Sequence, residues 1–494
     1  MKPFAAIVSP AAFRLKGVLL AAVLASSCAV NPATGEREIS LVSESQEIAM
    51  GREADPAITA QMGGEYDDPQ LQARVSELGM SLAQASERPD LPWTFRVLDD
   101  DLINAFALPG GFIYVTRGIL SYMNSEAELV GVLGHEVGHV TARHTASRIT
   151  RQQLGMIGVV GGAIFSETVR NNAGLALQGL QLLMLRYSRE DESESDALGY
   201  RYMTRINYHP QGISEVMQML QSTSPSAEEM GIPTWMLSHP DPGNRVEANE
   251  RRLARDAENG QTFEGYARNQ SSFLDLLDGM VFGKDPRQGY FIDTRFLHPV
   301  LRFEITFPRG WGTQNGAQAV QAGNPEQTAI MGLTFADAES AAAAMNGFAA
   351  QEGVQTGRRT TWNEGGVDAV MAEFTAATEQ GTLAGAIMYA DYGGAVYQIL
   401  GYGPSGSWGS VQGAVTGAIQ SFRPLTDGRL LDVAPHRIEV MTVPANMSFT
   451  QFLNRYPSTV ADEEVALANQ VGVDATLSRG QRVKRIVGGR IPTG

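Results

Sequence analysis

Cysteine is almost absent from this chain: Cys28 is the single thiol in 494 residues. One thiol excludes both an intramolecular disulfide framework and a cysteine-rich zinc module, so any metal must be held by histidines and carboxylates. Basic residues are scarce as well, 38 against 54 acidic ones, for a formal net charge of −16, and no Lys/Arg run exceeds two residues. Binding a phosphate backbone needs a concentrated basic face, so no nucleic-acid partner is expected. Long apolar runs are also missing. The most apolar stretch beyond the N-terminus, 154–165, spans about twelve residues at about 1.5 Å each, far short of a hydrocarbon core about 30 Å thick. It reads instead as a buried or gate-forming helix.

What is present is globular: 43% hydrophobic and 19% charged residues, at a length that calls for about two to four domains. The N-terminus is different. Lys2, Arg14 and Lys16 precede an apolar run from Gly17 to Ala25, followed by Ser26, Ser27 and Cys28; this is the three-part form of an export signal. Leu24-Ala25-Ser26-Ser27-Cys28 resembles a bacterial lipobox, with Ala25 where Leu is more usual. The resemblance implies cleavage before Cys28 and lipidation of its thiol. Ala29, in place of Asp, implies sorting to the outer membrane. Residues 1–27 are thus read as a lipoprotein signal peptide and 28–42 as a turn-rich tether, placing the protein in the periplasm. An ordinary cleaved signal and an uncleaved anchor are the alternatives.

Beyond the tether, residues 43–86 read mostly helical, broken at Gly63-Gly64 and at Asp67-Asp68-Pro69. Two strands are expected at 93–98 and 111–116, with Pro109-Gly110-Gly111 as a bend. Ser125 and Glu128 have capping-box spacing, so a helix starts there and runs to about residue 145. Further helices are expected at 175–186 and 191–206. A polar, proline-containing stretch near 283–287 separates a second unit, 288–426, in which strand-like runs bracket an alanine-rich helix. The last unit, 436–494, reads strand, helix, helix, strand, and vaguely resembles a LysM-like cell-wall-binding module, which makes peptidoglycan a candidate ligand. The predicted fold class is multidomain α+β: a mainly helical domain with a small sheet over 43–283, a small α+β domain, and the C-terminal α/β module.

His135-Glu136-Val-Gly-His139 lies inside the helix just argued. Four residues advance about 400°, so both imidazoles project from one face and can meet one zinc ion. Glu136 stands beside that position, where a carboxylate can take a proton from the attacking water. Gly134 and Gly138 strip bulk from the helix, at a cost of roughly 1 kcal/mol each relative to alanine; close approach by substrate or a neighbouring helix would offset it. A site with one open position needs a third protein ligand. Glu190, Asp191, Glu192, Glu194 and Asp196 are all available on the helix that follows, and composition does not choose among them.

Three segments together resemble the CAAX-prenyl endopeptidase/HtpX-type family of zinc metallopeptidases, a gluzincin family, and within it the periplasmic lipoprotein branch tied to outer-membrane quality control. They are Asn104-Ala-Phe-Ala-Leu-Pro-Gly-Gly111, Glu126-Ala-Glu-Leu with His135-Glu-Val-Gly-His139, and Ser188-Arg-Glu-Asp-Glu192-Ser-Glu-Ser-Asp196-Ala-Leu-Gly199. The resemblance implies that Glu192 is the third ligand to one zinc per chain and that Asp196 supports a ligating histidine. Ser195 occupies a slot usually filled by alanine. It implies a His-Pro turn at His239, whose imidazole would latch the open position or help position substrate, and a role for Arg245 in an ion pair or at the developing oxyanion. It implies too that Asn104, Ala105, Phe106 and Gly111, with the strand 111–116, form the edge that takes substrate by strand addition. His144 and His209 are read as surface or packing residues. The implied function is a zinc endopeptidase that cleaves unfolded or misassembled envelope proteins. The rivals are a latched or non-catalytic envelope chaperone and a cell-wall-binding adaptor.

Overall fold

A computed structural model describes residues 28–151, 187–223, 239, 242–378 and 381–492. The expected signal peptide, the apolar stretch 154–165 and the helix expected at 175–186 lie outside the described residues. The first long helix, Glu44–Gln61, starts where Ser43 accepts from the Gln46 amide and the Gln46 side chain returns to the Ser43 amide, two free donors satisfied reciprocally. The second, Pro69–Gln84, is capped by Asp68, whose carboxylate accepts from the Gln70 and Leu71 amides. The break expected between them is real.

The small sheet departs from the sequence reading. Phe112–Thr116 is its central strand, parallel to Thr94–Leu98 and antiparallel to Ala105–Leu108. The strand from Gly111 is therefore not an edge. Ala105–Leu108 is, and it went unread because four apolar residues are too few to show alternation. The bend Pro109-Gly110-Gly111 joins this edge to the central strand, and Gly110 and Gly111 take φ of +84° and +104°, conformations that side chains disfavour. Side chains alternate across the sheet. Phe106, Leu108, Phe112 and Tyr114 pack on Ala54 and Ile58 of the first helix, while Ala105, Ala107, Ile113 and Val115 join the core that holds Leu129, Leu133 and Val137.

Those last three residues belong to Glu126–Thr141, the helix that carries the histidine pair, which is buried along its whole length. Ser125 caps it by accepting from the Glu128 amide. Residues 144–151 are helical after the turn at Ala142 and Arg143, and beyond them Arg189–Arg205 is closed at its start by a second reciprocal cap between Ser188 and Asp191.

The second unit is a broad antiparallel sheet whose longest strands are Val367–Thr378, Gly381–Tyr392 and Ala395–Pro404. The helix Ala341–Ala349 covers one face and Gln412–Gln420 the other. A four-stranded sheet built on Arg295–His298 and Phe303–Thr306 packs into the same core as the second helix. This unit is α+β, as expected.

The C-terminal chain runs strand (Ala434–Thr442), helix (Phe449–Arg455), helix (Asp462–Ala468) and strand (Arg482–Arg490), the two strands pairing antiparallel. Val281–Phe282 adds a third strand, and Phe449, Phe452, Val465 and Ile486 share one continuous core with the histidine helix. Lys484 makes the junction specific. Fully buried, it donates to the carbonyls of Ser121 at 2.7 Å and Met123 at 3.0 Å. Gln470 reaches the carbonyl of Tyr122 and the carboxylate of Glu128, in the first turn of the histidine helix. Burial pushes the Lys484 ammonium down and the Glu128 carboxyl up, so both hold their charge less firmly than in water.

Candidate metal centre

Two helices make the centre, and small residues bring them together. A Cβ on Gly134 would lie 3.2 Å from the Gly199 Cα, one on Gly138 3.0 Å from the Ser195 carbonyl oxygen, and one on Gly199 3.0 Å from the Gly134 carbonyl carbon. Glu126–Thr141 and Arg189–Arg205 thus cross with backbone nearly touching backbone. That contact is what the two glycines of the histidine helix provide, and Ser195 fits the same seam. On the second helix, Glu192, Ser195, Asp196 and Gly199 follow i, i+3, i+4, i+7 spacing, so the two carboxylates share the face that meets the histidines.

The donors converge. His135 Nε2 lies 2.9 Å from His139 Nε2 and 3.3 Å from His239 Nδ1. Glu192 Oε1 is 2.9 Å from His239 Nδ1 and 3.5 Å from His139 Nε2, and Glu192 Oε2 is 3.6 Å from His135 Nε2. One ligand atom from each of these four buried residues falls within 4.8 Å of all the others. Donors held tetrahedrally at about 2.0–2.1 Å from zinc stand about 3.3 Å apart, and the observed separations bracket that spacing. Three imidazole nitrogens and a carboxylate oxygen, without a thiolate, form a donor set suited to Zn²⁺. The residues fit the ion.

Charge and hydrogen bonding set each donor. Burial holds the His139 imidazole well below its ordinary value, with the neighbouring His135 adding to the effect, so the ring is neutral and its lone pair available. Burial opposes ionisation of Glu192, but His239 and Arg245 outweigh it and keep this carboxyl well below the usual range. His135 turns its Nδ1 to Asp196 Oδ1 at 2.9 Å, which leaves Nε2 facing the centre. Arg245 spans both acids: Nε and Nη2 meet Asp196 at 2.7 and 2.6 Å, and Nη1 meets Glu192 Oε2 at 2.7 Å. Glu192 therefore offers Oε1 while Oε2 is held back. The guanidinium is spent on carboxylates, the ion-pair alternative of the two expected for it.

Glu136 is 1% exposed, beside the donors and not among them. Its Oε2 accepts no hydrogen bond within the described residues, and its Oε1 is 3.7 Å from His239 Nε2. Burial pushes its carboxyl up. Tyr187 stacks on the His139 ring with centroids 3.8 Å apart, and the Arg148 guanidinium lies 4.2 Å from the Tyr187 ring centroid. His239 lies in the donor cluster; its neighbours Ser238, Pro240 and Asp241 lie outside the described residues. Of the implied substrate edge, Ala105 and Phe106 lie on the edge strand, Asn104 immediately precedes it, and Gly111 sits in the turn. His144, read as surface or packing, is buried and 2.9 Å from His139.

Fold and site together bring an HExxH helix and an acid from a second helix around one point that could hold a metal ion. Residues 69–253 match the family model described as Peptidase family M48. The "Beta-barrel assembly-enhancing protease" of Yersinia pestis is 31% identical over 224 residues, covering 44% of this chain and 45% of that one. The protein of the same name from Escherichia coli (strain K12) is 28% identical over 239 residues, 46% of this chain and 48% of that one. The "Mitochondrial metalloendopeptidase OMA1" of Arabidopsis thaliana is 31% identical over 160 residues, 31% of each chain. This chain thus spans just under half the length of the assembly-enhancing proteases it matches and about a third of the mitochondrial one.

Proposed function

We propose that the chain is a zinc endopeptidase of the bacterial cell envelope, acting on unfolded or misassembled polypeptides. The observation that carries this reading is the convergence of His135, His139 and Glu192 on one point with Glu136 beside it. When bound, the ion supplies Lewis acidity to a peptide carbonyl and to the attacking water. Glu136, its carboxyl pushed up by burial, takes the proton from that water and returns it to the leaving nitrogen. Asp196 and Arg245 keep His135 and Glu192 in place. The edge Ala105–Leu108 pairs with extended substrate through main-chain hydrogen bonds, a mode tolerant of sequence and suited to unfolded chains. The names of the relatives support an envelope role, and the lipobox-like segment supports anchoring through Cys28 at the outer membrane. No helix among the described residues is long and apolar enough to cross a membrane. A peptidoglycan contact by 436–494 is supported by element order alone. The purified full chain should carry about one zinc ion, lose casein cleavage on chelation and regain it when zinc is restored. Undiminished cleavage by metal-free protein would sink the reading.

A latched resting state is favoured by one observation: His239 Nδ1 takes the fourth place among the donors, where solvent would otherwise sit. His239→Ala should retain zinc through the other three ligands and cleave casein about 10–100-fold faster if the latch is closed in about 90–99% of molecules. An unchanged rate at full zinc content would remove the latch.

A further inference from the structure

The two ligating imidazoles of the histidine helix are supported differently. His135 leans directly on Asp196, whereas His139 turns its Nδ1 to another imidazole, His144 Nδ1, at 2.9 Å. His144 is only 2% exposed, and it lies three residues beyond the helix end because the chain turns back at Arg143, a non-glycine residue at φ +58°. Such a conformation costs about 1–3 kcal/mol and persists where surroundings enforce it. Here they do: the Arg143 guanidinium is tied to Glu47 and, at 2.7 Å, to the Val42 carbonyl. The far nitrogen of His144, Nε2, meets Glu194 Oε2 at 3.3 Å. Glu194 Oε1 in turn accepts from Asn31 Nδ2 at 3.0 Å. Asn31 is buried, and its own oxygen closes a turn on the amides of Ala33 and Thr34.

Only one arrangement of protons suits this chain when His139 presents a bare Nε2 to a metal. His139 then carries its proton on Nδ1 and donates to His144 Nδ1, which must be bare; His144 carries its proton on Nε2 and donates to Glu194; Asn31 donates to the other carboxylate oxygen. Each donor along this run meets an acceptor; Ser195 Oγ, at 3.3 Å, can share the His144 Nδ1 lone pair, and Asp191 Oδ1 lies farther from Nε2, at 4.0 Å, than Glu194 does. The run ends in an anionic acceptor, which raises the ligand strength of the imidazole at its head.

We propose that His144 and Glu194 are positioning residues that hold His139 in its metal-binding tautomer and ring orientation, and that Asn31, three residues beyond Cys28, closes this relay. The segment next to the anchor cysteine thereby belongs to the support of the metal centre. This rests on the zinc reading above, and the test separates the two. Zinc affinity of the full chain is measured by chelator competition, and the cobalt(II)-substituted protein by its visible absorption. His144→Phe should bind zinc about 10–100-fold more weakly and shift the cobalt bands. His144→Asn, which places an amide oxygen where Nδ1 stood, should recover most of that loss. Glu194→Ala, a change at a partly exposed side chain that leaves both imidazoles in place, should weaken zinc several-fold, Asn31→Ala less, and the exposed control Glu190→Ala not at all. Wild-type affinity and cobalt bands in His144→Phe, or in Glu194→Ala should His144→Phe fail to fold, would overturn the relay. A wild-type chain that binds no zinc would instead overturn the metal centre itself.

Discussion

Glu136→Gln should bind zinc as the wild type does and cleave casein about 10²–10⁴-fold more slowly, the usual loss for a removed general base. The magnitude corresponds to about 3–5 kcal/mol of lost transition-state stabilisation. Glutamine keeps the shape and removes only the capacity to accept a proton. The surroundings make the comparison clean. Glu136 is buried with Oε2 accepting no hydrogen bond within the described residues, so a neutral amide relieves a desolvated carboxyl, while His239, 3.7 Å from Oε1, keeps Glu192 as its nearer acidic partner at 2.9 Å. Thermal stability should therefore hold or rise while activity falls. Cleavage within about tenfold of wild type, at equal zinc content, would take the proton-transfer role away from Glu136.

How much of this centre could be read before the structure depended on where its information lies. His135, Glu136 and His139 are adjacent in sequence, and helical geometry alone puts them on one side of a metal. Glu192 was harder, since five acids crowd one turn and a half, and only the family resemblance separated them. A physical signal was nonetheless present: Gly134 and Gly138 on one helix face Ser195 and Gly199 on the other, and the stripe through Ser195 and Gly199 also contains Glu192 and Asp196 but not Glu190 or Asp191. Small residues four apart on two helices mark the seam, and the seam selects the acids. His144 was not legible, because its place depends on the left-handed turn at Arg143 and on ties to Glu47 and Val42 far away in sequence.

The same limit applies to the fold. Capped helices were legible at their starts, although the histidine helix ends at Thr141 and not near 145, because the chain turns at Ala142 and Arg143, whereas Gly381–Tyr392, a long inner strand of the second unit, was missed. Its inward positions on one face are Ala384, Ala386, Met388 and Ala390, three of the four alanine where a helix packs on them, and such a run carries little strand signature. The order of the C-terminal elements was apparent, but not that their core is continuous with that of the histidine helix. That continuity depends on contacts such as Lys484 with Ser121, more than three hundred residues apart.

Arg245→Met should destabilise the fold by about 3–5 kcal/mol at neutral pH, the cost of stranding a buried charge by removing its partner. Two carboxylates are stranded here, since one guanidinium holds Asp196 through two nitrogens and Glu192 through a third. The loss should depend on pH in a defined direction. Burial opposes ionisation of Asp196, but the charge and hydrogen bonds of Arg245 outweigh it and keep this carboxyl below its unfolded value. A depressed carboxyl contributes stability above its unfolded value, about 3.9, and loses that contribution as pH falls through the folded one. Without the guanidinium the contribution is gone at neutral pH, where Asp196 must either stay charged without a partner or bind a proton. As the pH approaches about 4 the unfolded chain takes up protons as well, so the deficit of Arg245→Met should shrink. Zinc opposes the same deficit from the other side by neutralising Glu192, so the variant should be rescued by excess zinc more than the wild type is stabilised by it. Unfolding in denaturant, followed at pH 7 and near pH 4 with and without zinc, reads all three. A loss below about 1 kcal/mol at pH 7 would show that the two acids do not depend on Arg245.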